Sequence, residues 1–150
     1  LNGAPGIRSA RFAGDDATDP DNNQKLLADL RGETDRRAHF YCALALVCHR
    51  EQLTDPTLGT SEWPGLPESA VIIHLNGRVN GIITHEEAEG AGGFGYDPLF
   101  FVPELNCTFA EVPAAQKHAL SHRGQAFREL LVLLQANSRI GQTTKDPDPS

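Results

Sequence analysis

Residues 38–48, Ala-His-Phe-Tyr-Cys-Ala-Leu-Ala-Leu-Val-Cys, place the tightest constraint on how this chain can fold. Read with a period of two, one face carries Ala38, Phe40, Cys42, Leu44, Leu46 and Cys48. The other carries His39, Tyr41, Ala43, Ala45 and Val47. A strand that is largely apolar on both faces predicts a central strand covered on two sides.

Helices are available to provide that cover. Asp19 can cap a helix and Pro20 suits its first position. Leu26, Leu27 and Leu30 then form one apolar stripe, and Gly32 ends the element. A second and clearer helix starts with Ser121 as its cap. There Phe127, Leu130, Leu131 and Leu134 fall at i, i+3, i+4 and i+7, which predicts a buried stripe.

The remaining pattern adds strands and turns. Apolar runs at 70–75 and 78–84 flank Asn76-Gly77, the strongest short hairpin signal. Residues 99–102 follow Pro98 and read as a strand, and residues 9–14 read as a short strand between turns. Residues 50–69, with Pro56, Pro64 and Pro67, read as a loop anchored by Trp63. The class predicted is α/β, with a mixed twisted sheet flanked by helices. Residues 1–138 are expected to form a single domain and residues 139–150 a polar, disordered tail.

Charge and cysteines narrow the functional classes. Lys and Arg number 13 and Asp and Glu 20, so the net charge is 13 − 20 = −7. That argues against a broad nucleic-acid surface. It leaves open a nucleotide held by a few converging cations and a divalent metal. Cys42, Cys48 and Cys107 are odd in number and contain no C-x-x-C pair, which predicts free thiols in a reducing compartment. With no signal peptide and no run of transmembrane length, a cytoplasmic location and no membrane contact are expected. The chain opens on Leu1 and contains no Met, and its first residues resemble the inside of a loop. It is therefore expected to be a piece of a longer protein.

Two segments carry chemistry. In Gly92-Gly93-Phe94-Gly95-Tyr96-Asp97-Pro98, glycines permit unusual backbone angles and close approach of a ligand. An aromatic ring on such a loop can stack on a nucleobase, worth roughly 1–3 kcal/mol. Asp97 could accept hydrogen bonds from a ligand or fix the loop. The second segment is Lys117 followed by Ser121-His122-Arg123-Gly124 at a helix start, where free N–H groups and donor side chains converge. Donors there could read a purine 6-oxo group and reject the amine of adenine. Taken singly, each also fits a plainer role: a tight turn with buried rings, and a helix cap beside solvated side chains.

Taken together and in order, these strings resemble the Ham1/inosine triphosphatase family, which includes bacterial dITP/XTP pyrophosphatases. The resemblance also rests on Gly3-Ala4-Pro5-Gly6 with Ser9-Ala10-Arg11, and runs from residue 1 to about residue 136. It implies an inosine triphosphatase-like fold and hydrolysis of ITP, dITP or XTP to the monophosphate and pyrophosphate. It implies that Phe94 stacks on the base, that Ser121, His122 and Arg123 read its keto edge, and that Lys117 lies against base or phosphates. Gly95, Tyr96 and Asp97 would complete the pocket. A homodimer is also implied, with a purine nucleoside triphosphate and no nucleic acid as partner.

Cutting the triphosphate requires more. The resemblance implies Mg²⁺, with ligands and a general base in an N-terminal part that precedes the Gly3-Ala4-Pro5-Gly6 turn. No substitute stands out in this chain. Asp15-Asp16 and Glu86-Glu87 read as solvated loop carboxylates. The histidines at 39, 49, 74, 85, 118 and 122 lack metal-ligand spacing. Two readings follow: a pyrophosphatase whose catalytic half lies elsewhere, and a purine-nucleotide-binding module without catalysis.

Overall fold

A computed structural model describes residues 1–89 and 93–140. Four strands, β1 (Arg37–His49), β2 (Ala70–Ile83), β3 (Phe100–Val102) and β4 (Cys107–Thr108), form one sheet in the order β1-β2-β3-β4. β2 and β3 pair antiparallel with Ile83 opposite Phe100, as do β3 and β4 with Val102 opposite Cys107. The helices are α1 (Asp19–Asp29), α2 (Ala114–Leu120) and α3 (His122–Ala136). The expected α/β class is therefore observed.

The chain divides into two compact units, one of Leu1–Phe40 with Arg78–Ser121, the other of Tyr41–Gly77 with His122–Ser150. The core of the first joins Leu26 and Leu30 of α1 to Ile83, Leu99, Phe100, Phe109 and Val112. Phe40, Phe100 and Phe109 form an aromatic group with ring centroids 4.3–6.0 Å apart. Such pairs add about 0.5–1.5 kcal/mol each beyond the area they bury. Arg36, only 8% exposed, donates to the carbonyls of Leu30, Ile83 and Thr84 at 2.6–2.8 Å. Those bonds offset the cost of burying its charge. The core of the second unit is smaller, built on Cys48, Leu53, Val71 and Ile73.

The helix α1 begins one residue earlier than the sequence suggests. Thr18, not Asp19, is its N-cap: the Thr18 hydroxyl accepts from the Asp21 amide and the Asp21 carboxylate accepts from the Thr18 amide. This reciprocal capping box, with Pro20 in the first turn, fixes the helix start and releases the Asp19 side chain.

Several other expectations are revised. β1 lies at the end of the strand order rather than in its centre, and only the face bearing Phe40, Leu44 and Cys48 is covered. Tyr41 and Val47 on the opposite face stay 56% and 54% exposed. Residues 9–14 do not form a strand; a 3-10 helix spans Gly6–Arg11, latched to α1 by Asn22, which accepts from Ala13 N and donates to Ala10 O. Asn76-Gly77 is not a turn, because β2 runs through it unbroken. In α3 the inward residues are Gly124 and Ala126, while Phe127 and Leu131 are exposed and Leu130 and Leu134 half-buried. Trp63 is exposed rather than an anchor. The start of the glycine loop at 90–92 and the tail at 141–150 lie outside the described residues.

Candidate functional site

The loop at residues 93–97 is a tight reversal built from its own sequence. Gly93 and Gly95 take φ of +89° and +61°, a region L side chains rarely adopt. A Cβ on Gly93 would also lie 2.7 Å from the Asp97 carboxylate. Inside this turn the Asp97 Oδ2 accepts the Phe94 amide at 2.7 Å, and the Asp97 amide bonds back to Phe94 O at 3.3 Å. The segment then runs into a 3-10 turn at Asp97–Leu99 and into β3.

The two aromatic rings of the loop face opposite ways. Tyr96 is buried at 8% exposure, and its hydroxyl donates to the Ser9 carbonyl at 2.7 Å. Burial, with a smaller contribution from the negative charge of Asp19, pushes its phenol up to about 12. Phe94 points outward and is 58% exposed. The exposed ring thus sits on a backbone held at its own amide by Asp97.

Lys117, on α2, closes the arrangement. Its ammonium pairs with Asp97 Oδ2 and lies 4.9 Å from the centre of the Phe94 ring and 5.8 Å from that of Phe109. The ion pair is largely buried, with side-chain exposures of 16% for Lys117 and 5% for Asp97. One carboxylate thus holds both the backbone that carries the ring and the cation beside the ring. The structure brings Phe94, Gly95, Tyr96, Asp97 and Lys117 together in the first unit. Within this group Tyr96 and Asp97 are buried, the Lys117 side chain is mostly covered, and Phe94 faces outward.

Ser121 follows α2 with φ −64° and ψ 153°, the extended conformation of a residue just before a helix, and its amide bonds to Lys117 O at 2.8 Å. His122 and Arg123 form the first turn of α3, in the second unit; His122 is half-buried and Arg123 exposed. Within that unit the helix start rests against Gly77: a Cβ there would stand 1.9 Å from the His122 carbonyl oxygen.

Two contributors were missed by sequence reading. Ser9 supplies the carbonyl that anchors Tyr96, and Asp19 Oδ2 accepts the Gly95 amide at 2.7 Å. Both lie far from the loop in sequence, so although Asp19 reads as a helix cap and Ser9 stands in a family-like string, nothing local ties either to the loop. The paired carboxylates Asp15-Asp16 and Glu86-Glu87 are exposed, as expected. No group of three or more His, Cys, Asp or Glu side chains that could hold a metal ion occurs among the described residues. Two open grooves of about 670 and 640 Å³, one beside α1 and one beside Arg36, include none of the predicted site residues.

Comparison with known proteins adds to this geometry. Residues 1–133 match the Ham1 family. The dITP/XTP pyrophosphatase of Photorhabdus laumondii is 47% identical over 133 residues, covering 87% of this chain and 58% of the relative. That of Vibrio parahaemolyticus is 44% identical over 140 residues, covering 92% and 61%. A solved structure of the Staphylococcus aureus Ham1 protein is 37% identical with a TM-score of 0.71, covering 90% of this chain and 60% of that one. The chain thus spans about three fifths of the length of these relatives.

Proposed function

Because the chain belongs to the Ham1 family, we propose that its protein hydrolyses non-canonical purine nucleoside triphosphates, dITP, ITP and XTP, to monophosphate and pyrophosphate. The observation that carries the reading is the outward Phe94 ring, held on a rigid turn with the Lys117 ammonium beside it. A flat apolar face flanked by a cation suits a purine carrying phosphates: stacking holds any base, and the charge favours the anionic ligand. The names of relatives at 44–47% identity support the substrate class.

Within this reading Phe94 and Lys117 contact the nucleotide, while Gly95, Tyr96 and Asp97 shape the loop. Ser121, His122 and Arg123 supply donors for the 6-oxo edge. A Ser, His and Arg set presents donors where adenine would present another donor, which disfavours adenine.

Mg²⁺ belongs to the same proposal, since a divalent ion offsets the charge of a triphosphate. The described residues offer no cluster that fits it. Its ligands and the catalytic base are proposed for the part of the relatives' length that this chain does not span. A homodimer and a cytoplasmic location complete the reading. No helix among the described residues is long and apolar enough to cross a membrane.

The test is pyrophosphate release by the whole protein with Mg²⁺. The expected result is turnover of dITP, ITP and XTP well above that of dATP. Absence of pyrophosphate from all three substrates would sink the proposal.

A further inference from the structure

We infer that Asp19 is a positioning residue for nucleobase stacking: with Asp97 it pins both peptide planes that flank Phe94 and so sets where the ring points. The inference rests on the reading of Phe94 as the stacking ring.

The geometry is specific. The Phe94 amide belongs to the peptide that enters the residue, and Asp97 Oδ2 accepts it at 2.7 Å. The Gly95 amide belongs to the peptide that leaves the residue, and Asp19 Oδ2 accepts it, also at 2.7 Å. The first bond restrains rotation about φ of Phe94 and the second about ψ. With both planes held, the Cα–Cβ direction is set. Neither bond is made by a strand or helix ladder, so a carboxylate at each end replaces the regular structure that the loop lacks. Hydrogen bonds from a backbone N–H to a carboxylate are shorter and about twice as strong as neutral ones.

Asp19 is delivered to this place by a rigid element. The Thr18–Asp21 capping box fixes the first turn of α1, and Pro20 stiffens it further. Because Thr18 takes the capping role, the Asp19 carboxylate is free to reach a loop 76 residues away in sequence. A second tether runs parallel to it, from the Tyr96 hydroxyl to Ser9 O. The loop is therefore held by the segment at residues 9–19 as well as by its own turn and Lys117. For a stacking ring this matters, because preorganisation removes an ordering cost that binding would otherwise have to meet.

Asp19 also lies in the first turn of α1, where a negative charge favours the helix macrodipole. The two roles separate by substitution. Asp19→Asn removes the charge but keeps an oxygen able to accept the Gly95 amide; Asp19→Ala removes both. In the whole protein, ITP affinity is measured by calorimetry, the melting temperature by scanning, and exchange of the Gly95 amide by NMR. Asp19→Ala should weaken ITP binding about tenfold and speed Gly95 exchange by a similar factor. Asp19→Asn should stay within about threefold on both readouts, although its melting temperature falls with that of the alanine variant. Equal melting losses with unchanged affinity in both variants would reduce Asp19 to a helix-dipole residue and overturn the inference. Phe94→Ala separates the parent reading: weaker ITP binding there but not in Asp19→Ala removes the positioning role alone. Unchanged binding in Phe94→Ala removes stacking itself, and positioning with it.

Discussion

Replacing Gly77 by alanine is the most discriminating perturbation of the second unit. The added Cβ would stand 1.9 Å from the His122 carbonyl oxygen, and 2.9 Å from both Ala126 N and Gln125 Cβ. Ordinary contact begins at 3.4 Å, so the shortfall is 3.4 − 1.9 = 1.5 Å. Two of the three atoms are backbone of α3, which cannot rotate aside. Either the helix start lifts or β2 bows. Overpacking of this kind costs about 1–3 kcal/mol, and a clash with backbone belongs at the upper end. Working the other way, alanine in place of a strand glycine recovers about 0.5–1 kcal/mol of unfolded-state entropy. The net expectation is a loss of about 2 kcal/mol, or on the order of 5 °C in melting temperature for a chain of this size. Urea unfolding should show a lower midpoint at unchanged slope, the signature of altered stability alone. Gly32→Ala is the control: φ is +83° and nothing lies within 4 Å, so any loss there reports backbone strain without a clash. A Gly77→Ala variant as stable as the parent, or more so, would show that α3 does not press on β2 and would refute the reasoning. On the proposed function the variant should also lose discrimination between ITP and ATP, because His122 and Arg123 ride on the displaced turn.

Two further outcomes are expected. Arg123→Ala should weaken ITP binding by about tenfold while leaving ATP nearly unchanged; equal loss for both would remove Arg123 as the reader of the 6-oxo group. Tyr96 has its ionisation pushed up to about 12 in the folded state from an ordinary 10.0, so the neutral phenol is favoured by folding. Its contribution is complete below pH 10 and is lost as pH rises from there to about 12, where the unfolded chain ionises first. Denaturant midpoints on either side of that window should therefore fall with pH, and fall less in Tyr96→Phe; identical slopes would dissociate Tyr96 from the effect.

The parts of this molecule that sequence made legible, and those it hid, differ in where the deciding atoms lie. The α1 leucines, Pro20 and the aromatic glycine loop are local statements, readable because helix period and turn chemistry act over a few residues. Gly77 shows the limit. Asn-Gly marks a hairpin when glycine is present for its positive φ, yet here it is present because α3 comes too close for a side chain. That neighbour is 45 positions on, and no window contains it. β1 makes the same point: alternation identified two apolar faces, but whether a face is buried depends on what packs over it, and only one of the two is covered. The site combines both limits. Phe94 and Tyr96 are nearly equivalent in sequence, and only the reversal at Gly95 sends one ring out to 58% exposure and the other in to 8%. Thr18 and Asp19 are both good caps, and the choice of Thr18 decides whether Asp19 is spent on its own helix or reaches the Gly95 amide. Sequence therefore named the loop and the cation beside it, while the placement of Gly95 and Tyr96 depends on contacts made across 76 and 87 positions. A variant series confined to the Phe94–Asp97 loop would test Phe94 and Asp97 and leave untouched Asp19, whose carboxylate accepts the Gly95 amide.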